Sequence, residues 1–305
     1  MAVVDLDADA VAAGLAPELH AGVGTVVVGL TSGASPEAHP ASRACDLVLA
    51  RGDAALESVI ATVDQNPIAA LAAAVLLRGS ERRSVDDGLM AESAVYSALQ
   101  AGPEFTAWRS SRPIVDRPRS AQPVLLERAG GVLHITLNRP EVRNAFSTAM
   151  RDQLVDALSL PALDPTITEV HLRGGGDAFC SGGDLDEFGS FEDPASAHLV
   201  RLQQSVGRCI AAVSERMTAH LHGACVGSGI ELPAFAHRVL ARPDTVISLP
   251  EVSLGLVPGA GGTVSLPRRI GRLRTARLVL SGERIDAGTA LLWGLVDAIE
   301  DSSPG

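Results

Sequence analysis

The sequence predicts a layered α/β domain preceded by a mainly helical region, and three observations lead there. From residue 132 onward, short runs with strand alternation take turns with helix-period segments. Two loops built of small residues each stand just ahead of a helix. A proline-rich stretch, 113–123, separates this pattern from four consecutive helical segments. The chain of 305 residues accordingly divides into a mixed, mainly helical region 1–112, a linker 113–123 and an α/β part 124–305. Such a length serves one large domain or two unequal ones, each able to bury a core.

In chain order, 25–30 and 46–49 read as strands, and 54–63, 68–77, 85–99 and 104–109 as helices. Four helices in succession suggest a packing or oligomerising element. The stretch 110–123 carries three prolines and several charges without a hydrophobic period, as a linker does. Beyond it, 132–137 alternates as a strand and Ser147 is placed to cap a helix through 158. A second strand is expected over 169–173, a glycine-rich loop over 174–184, and one long amphipathic helix over 195–213. Then come a strand at 217–221, a tight turn at 227–229, and a helix from Ile230 with Pro233 in its tolerated first turn. Strands at 238–241 and 246–248 and helices over 262–270, 273–280 and 286–293 complete the pattern.

Composition narrows the function. Hydrophobic residues make up 46% of the chain but aromatics only 3%, so the core must be built from Ala, Val and Leu. A net charge of −11 argues against binding nucleic acid, which needs clustered Lys and Arg. Cys45, Cys180, Cys209 and Cys225 are scattered, without the spacing of a zinc site or a disulfide scaffold, so no metal is expected and a reducing compartment fits. The apolar stretch 67–77 is about half of what a bilayer crossing needs, and the acidic N-terminus lacks the basic start of a signal peptide. No membrane insertion and a cytoplasmic location are the expectation.

The chemistry lies in two loops, 178–185 (AFCSGGDL) and 222–231 (HGACVGSGIE). Small residues ahead of a helix let a ligand approach backbone N–H groups, and the helix dipole favours an anion there. Two such loops facing each other make an oxyanion hole. Glu231 ends the second loop, and Glu251 follows Pro250 at the head of VSLGLVPGAGGT. Carboxylates beside a polarised carbonyl move protons if burial raises their pKa. The 259–263 turn, GAGGT, lacks the lysine of a phosphate loop; it reads equally as a packing turn and as a wall of a pocket. Asp184 reads as a loop-holding acid, His134, His171 and His222 as structural, and Cys180 and Cys225 as small buried side chains.

The segments 137–140 (LNRP) with Asn144-Ala145, 179–185, 227–231, Pro250-Glu251, 258–262, 280–285 and 294–296 resemble, in order, the signatures of the enoyl-CoA hydratase/isomerase (crotonase) family. The resemblance implies the ClpP/crotonase spiral of ββα units and an acyl-CoA thioester substrate, with coenzyme A as part of that substrate and no separate cofactor. It implies that the backbone N–H groups of Gly183 and Ser228 hold the thioester oxygen, Ser228 standing where relatives commonly have glycine. Glu231 and Glu251 match the pair that hydratases use to activate water and to protonate the α-carbon. Arg143, Ser181, Gly183, Asp184, Leu185, Gly227, Ser228 and Gly259 fall at or beside positions that bind the CoA ester, although Glu141 puts an acid where a base could meet a CoA phosphate. Reversible hydration of a 2-enoyl-CoA is the leading expectation. Isomerisation, another enolate reaction, or a weakly catalytic acyl-CoA-binding or scaffolding subunit are the alternatives. The family also implies a trimer or a dimer of trimers.

Relatives continue past the 294–296 segment into a helical tail, which this chain lacks at its C-terminal side. Residues 54–112 resemble that tail in order and spacing, through Asn66-Pro67, 73–78, 84–89, Glu92-Ser93 and 102–108. The segment 44–50 (ACDLVLA) likewise resembles a strand that the family places after its catalytic turn, where this chain has 236–241. The expectation is that residues 1–112 fold back to supply the tail, as in a circular permutation or a degenerate fusion.

Overall fold

The structure, a computed structural model, describes residues 1–8, 24–115, 121–190 and 193–300. The middle of the expected linker, 116–120, lies outside the described residues. Three strands, β1 (Ala2–Asp5), β2 (Val27–Thr31) and β3 (Leu47–Ala50), form a small parallel sheet in that order. Helices α1 (Ala55–Gln65), α2 (Pro67–Arg78), α3 (Val85–Gln100) and α4 (Pro103–Ser111) follow. Pro67 and Pro103 open their helices at the position where a missing N–H costs nothing, and the Ser84 hydroxyl caps α3 by accepting from the Asp87 N–H.

The second part begins with the antiparallel hairpin β4 (Val124–Ala129) and β5 (Val132–Leu137). Then come α5 (Thr148–Leu163), β6 (Glu169–Gly174), α6 (Pro194–Gln203), α7 (Val206–Val213), β7 (Met217–Leu221), β8 (Ala224–Val226) and α8 (Ser228–Glu231). Strands β9 (Arg238–Ala241) and β10 (Val246–Ser248), α9 (Gly262–Ser281), β11 (Ile285–Asp286), α10 (Ala287–Trp293) and β12 (Ala298–Ile299) complete it. One sheet runs β12-β9-β7-β6-β5-β4, parallel except at β4; a second runs β11-β10-β8.

Two expected helices are corrected. The long helix over 195–213 is two, because Gln204 leaves helical geometry and the Ser205 hydroxyl caps a new start by accepting from the Arg208 N–H. The helix expected from Ile230 onward begins at Ser228 and ends at Glu231, giving way to a 3-10 turn, Pro233–Phe235. Helix α9 joins the two helices expected over 262–270 and 273–280 across a kink at Gly271, whose φ of 77° breaks the helical path.

The N-terminal helices pack on this second part. Helix α9 lies against α1, α2 and α3, and one continuous apolar core runs through both parts of the chain. At Gly88 a Cβ would stand 2.9 Å from Val264, so glycine lets α3 reach α9. Charged groups tie the same seam: Arg277 pairs with Asp53 and Glu283, both at 2.6 Å, and the Arg272 guanidinium donates to the Cys45 carbonyl at 2.6 Å. No single helix among the described residues is long and apolar enough to cross a membrane.

Three histidines line up across β5, β6 and β7. His134 stacks on His171 at 5.4 Å, His171 Nδ1 meets His220 Nε2 at 2.9 Å, and His220 Nδ1 meets Glu300 at 3.0 Å. Burial lowers the His220 pKa, with the Glu300 carboxylate opposing. A histidine lowered on folding binds fewer protons in the native state, so stability falls as pH drops below the unfolded value of about 6.5. The urea midpoint is expected to fall between pH 7.5 and 5.5, and to fall less in His220→Gln; equal falls in the two proteins would show that His220 is not the group responsible.

Candidate active site

The two small-residue loops meet at the bridge between Cys180 and Cys225, and the first is also bridged to Phe146 through Gly183. They open onto a cleft of about 530 Å³ whose walls include Phe146, Gly183, Ser228, Glu231, Glu251 and Gly259. Among the described residues no protein acceptor meets the backbone N–H of Gly183 or of Ser228. Ser228 opens α8, so the dipole adds to its N–H, and its hydroxyl is turned to the Cys180 sulfur at 3.7 Å rather than toward a carboxylate. Two free donors at one cleft wall suit a developing oxyanion.

Glu231 and Glu251 are 2% and 9% exposed. Both carboxylates converge on Gly227: a Cβ there would overlap Glu251 Oε1 and come within 3.7 Å of Glu231 Oε1. Gly227 also has φ 52° and ψ −121°, open to glycine and strained for other residues. Glu231 Oε2 accepts the N–H groups of Ala260 and Gly262 at 2.8 and 2.9 Å.

A third acid joins them from the other end of the chain. Glu92 of α3 is buried and accepts the N–H groups of Gly261 and Thr263 at 2.7 and 2.8 Å, and the Thr263 hydroxyl at 2.7 Å. The first turn of α9 is thus shared between two carboxylates, each neutralising N–H groups that have no partner inside the helix.

Burial pushes all three acids up. Glu231 rises to about 7, with the Ala260 and Gly262 N–H groups opposing, and Glu92 to about 8, with the Glu231 charge adding. Glu251 rises well above its ordinary value through burial and then the neighbouring Glu231 charge. Among the described residues its Oε2 meets no hydrogen-bond partner. With the N–H donors spent on Glu92 and Glu231, Glu251 has burial and the Glu231 charge to hold its proton in place.

The other expected residues divide. Gly259 lines the cleft with the Tyr96 ring packed against it, and Asp184 also lines it while pairing with Arg139 at 3.0 Å, which makes it a loop-holding acid. Arg143, Ser181, Leu185 and Gly227 are not cleft walls. Arg143 has a left-handed backbone, φ 51°, and its carbonyl accepts the Ser181 N–H at 2.9 Å; Leu185 gives its carbonyl to Arg109. Burial pushes the Cys180 thiol up to about 11, in keeping with a packing role. His222 Nε2 meets the Gly176 carbonyl at 3.0 Å.

Sequence reasoning placed Glu92 in a helix but not in the site, and it passed over Tyr96, Arg151 and Arg201. The readable signal was the stripe Leu89, Glu92, Ser93, Tyr96 at helical spacing, an acid set within a buried face.

Residues 127–302 match the family model described as enoyl-CoA hydratase/isomerase. The chain is 35% identical over 176 residues to 2,3-dehydroadipyl-CoA hydratase of Escherichia coli (strain K12), covering 58% of this chain and 68% of that protein. It is 33% identical to the mitochondrial enoyl-CoA hydratase of Pongo abelii, covering 54% and 56%. Among solved structures, enoyl-CoA hydratase from Thermoplasma volcanium GSS1 superposes with a TM-score of 0.55 at 36% identity, covering 59% of this chain and 72% of that one. The match thus spans only part of these relatives' own length, 56% of the mitochondrial enzyme.

Since Glu251 is raised on folding, its contribution is favourable while protonated and is lost as pH rises through its native pKa. Glu251→Gln keeps the shape and cannot ionise. Its gain in thermal stability over the parent is expected to be larger at pH 8.5 than at pH 5.5; a pH-independent difference would mean that Glu251 is not a buried, raised acid.

Proposed function

The chain belongs to the enoyl-CoA hydratase/isomerase family and has the crotonase fold, and from that premise we propose that it catalyses the reversible hydration of a 2-enoyl-CoA. The observation that carries this reading is the convergence of Glu231 and Glu251 on Gly227, in the cleft that also holds the unpartnered N–H groups of Gly183 and Ser228. A thioester oxygen bound by those donors draws electron density from the conjugated double bond. Ionised Glu231 takes a proton from water as its oxygen bonds to the β-carbon. Protonated Glu251 gives its proton to the α-carbon as the enolate collapses. The reaction as drawn needs no group beyond the protein, the CoA ester and the water that is added. The four cysteines are unpaired, which suits a reducing compartment such as the cytoplasm.

Hydration of crotonyl-CoA is followed as loss of the conjugated thioester absorbance. Glu231→Gln and Glu251→Gln are each expected to lower kcat by about 10²- to 10⁴-fold. In the parent, kcat/KM is expected to fall as pH drops through about 7, where the raised Glu231 takes up its proton. A folded parent that binds CoA esters but hydrates none would point instead to isomerisation or another enolate reaction.

We also propose that α1 to α4 stand in for the helical tail of the family. The contact supporting this is Glu92, which reaches the first turn of α9 across 171 residues of sequence. Glu92→Ala is expected to cost about 1–3 kcal/mol in urea unfolding, because it strands buried N–H groups. A variant as stable as the parent would mean that α3 is not anchored there.

A further inference from the structure

The cleft carries both signs of charge. Besides the buried glutamates, α3, α5 and α6 contribute Ser93, Tyr96, Gln100, Arg151 and Arg201 to the walls. The Arg201 guanidinium lies 4.7 Å from the centre of the Tyr96 ring. Its hydrogen bonds run to neutral oxygens: Nε to the Ser93 hydroxyl at 3.1 Å, Nη1 to the Gln100 side chain at 3.4 Å, and Nη2 to the Ser97 hydroxyl and the Ser93 carbonyl. Among the described residues no carboxylate pairs with it.

Arg151 lines the same cleft, and among the described residues its one ionic partner is its chain neighbour Asp152, half exposed. Its Nη1 donates to no protein group among the described residues. Burial, reinforced by the Arg151 charge, lowers the Arg201 pKa, while Glu92 and Tyr96 oppose. The oxygens of Glu92 accept from Gly261 and Thr263, and among the described residues it makes no ion pair with Arg201. Arg201 is therefore a largely desolvated cation beside a second cation, both turned to a ligand-sized cavity, and an anion brought into the cleft improves both.

We propose that the acyl group taken by this cleft ends in a carboxylate, held by Arg201 with Arg151, so that the substrate is the CoA ester of a short unsaturated dicarboxylic acid. The inference rests on reading the cleft as an acyl-CoA site. Shortness follows from Tyr96: one face of its ring meets Arg201, and its edge packs on Gly259, next to the Ala260 N–H that Glu231 holds. A single ring and a few methylene lengths thus separate the anion seat from the reacting carbons. Arg201 Nη1 keeps one N–H beyond its bond to Gln100, and Arg151 Nη1 meets no protein acceptor among the described residues, so the two together suit a carboxylate, whereas a methyl end would leave both cations facing apolar surface.

The test compares 2-hexenoyl-CoA with 2-hexenedioyl-CoA on the full-length protein. The parent is expected to favour the dicarboxylic ester by roughly tenfold or more in kcat/KM. Arg201→Gln is expected to erase that preference, bringing kcat/KM for the two esters to within about threefold of each other. Arg201→Lys, which restores a charge, and Arg151→Gln are expected to fall between. A parent that prefers the methyl-ended ester, or an Arg201→Gln protein that loses both activities equally, would overturn the proposal. If the parent hydrates neither ester, the hydration reading has failed, and binding of the saturated adipyl-CoA and hexanoyl-CoA decides this one. Tighter adipyl-CoA binding that is lost in Arg201→Gln upholds it, and equal binding of the two overturns it.

Discussion

The first turn of α9 offers N–H groups that no helix can satisfy from within, and two buried carboxylates from distant parts of the chain divide them. Glu231 takes Ala260 and Gly262; Glu92 takes Gly261 and Thr263. Everything around the cleft follows from that division. For Glu92 to reach, α3 must lie close on α9, which Gly88 permits. Once α3 is there, Leu89, Ser93 and Tyr96 become cleft walls. With the donors consumed, Glu251 is left with burial and a neighbouring negative charge, and so with its proton.

The sparse aromatics add to this picture. Tyr96, Phe105, Phe146 and Phe188 line the cleft, while the core elsewhere among the described residues packs mainly on Ala, Val, Leu and Ile. Large rigid rings stand where a cavity must be kept open, and small aliphatic chains stand where space must be filled. The Gly183 and Gly259 positions serve the same end, since a Cβ at either would collide with Phe188 or Tyr96.

Local chemistry was the readable part of the sequence. Strand β5 and strand β7 fall where they were expected, and Ser147 caps its helix. Both loops, and the acids at their ends, were visible from small residues alone. Strand β4 was not, because after Val124 it is exposed on both faces and shows no alternation. The break at Gln204 escaped because hydrophobic spacing continues across it while Ser205 restarts the helix. Glu92 and Arg201 stayed hidden for a different reason. Each takes its meaning from partners more than 100 residues away, and no local pattern encodes such a meeting.

The order of the parts along the chain has a consequence for how the protein is made. Helices α1 to α4 leave the ribosome before α9 exists, although Ala69, Ala70, Ala73 and Leu77 of α2 are buried in the common core. At ordinary elongation rates the 171 residues between Glu92 and Thr263 represent a delay of roughly 10–30 s. Through that interval the nascent helices carry an uncovered apolar face and, in Glu92, a carboxylate whose donors have not yet been synthesised. This chain must keep its early helices soluble while it waits, and its native contacts close last over the longest separations, an arrangement that favours slow, late folding and a dependence on chaperones during translation.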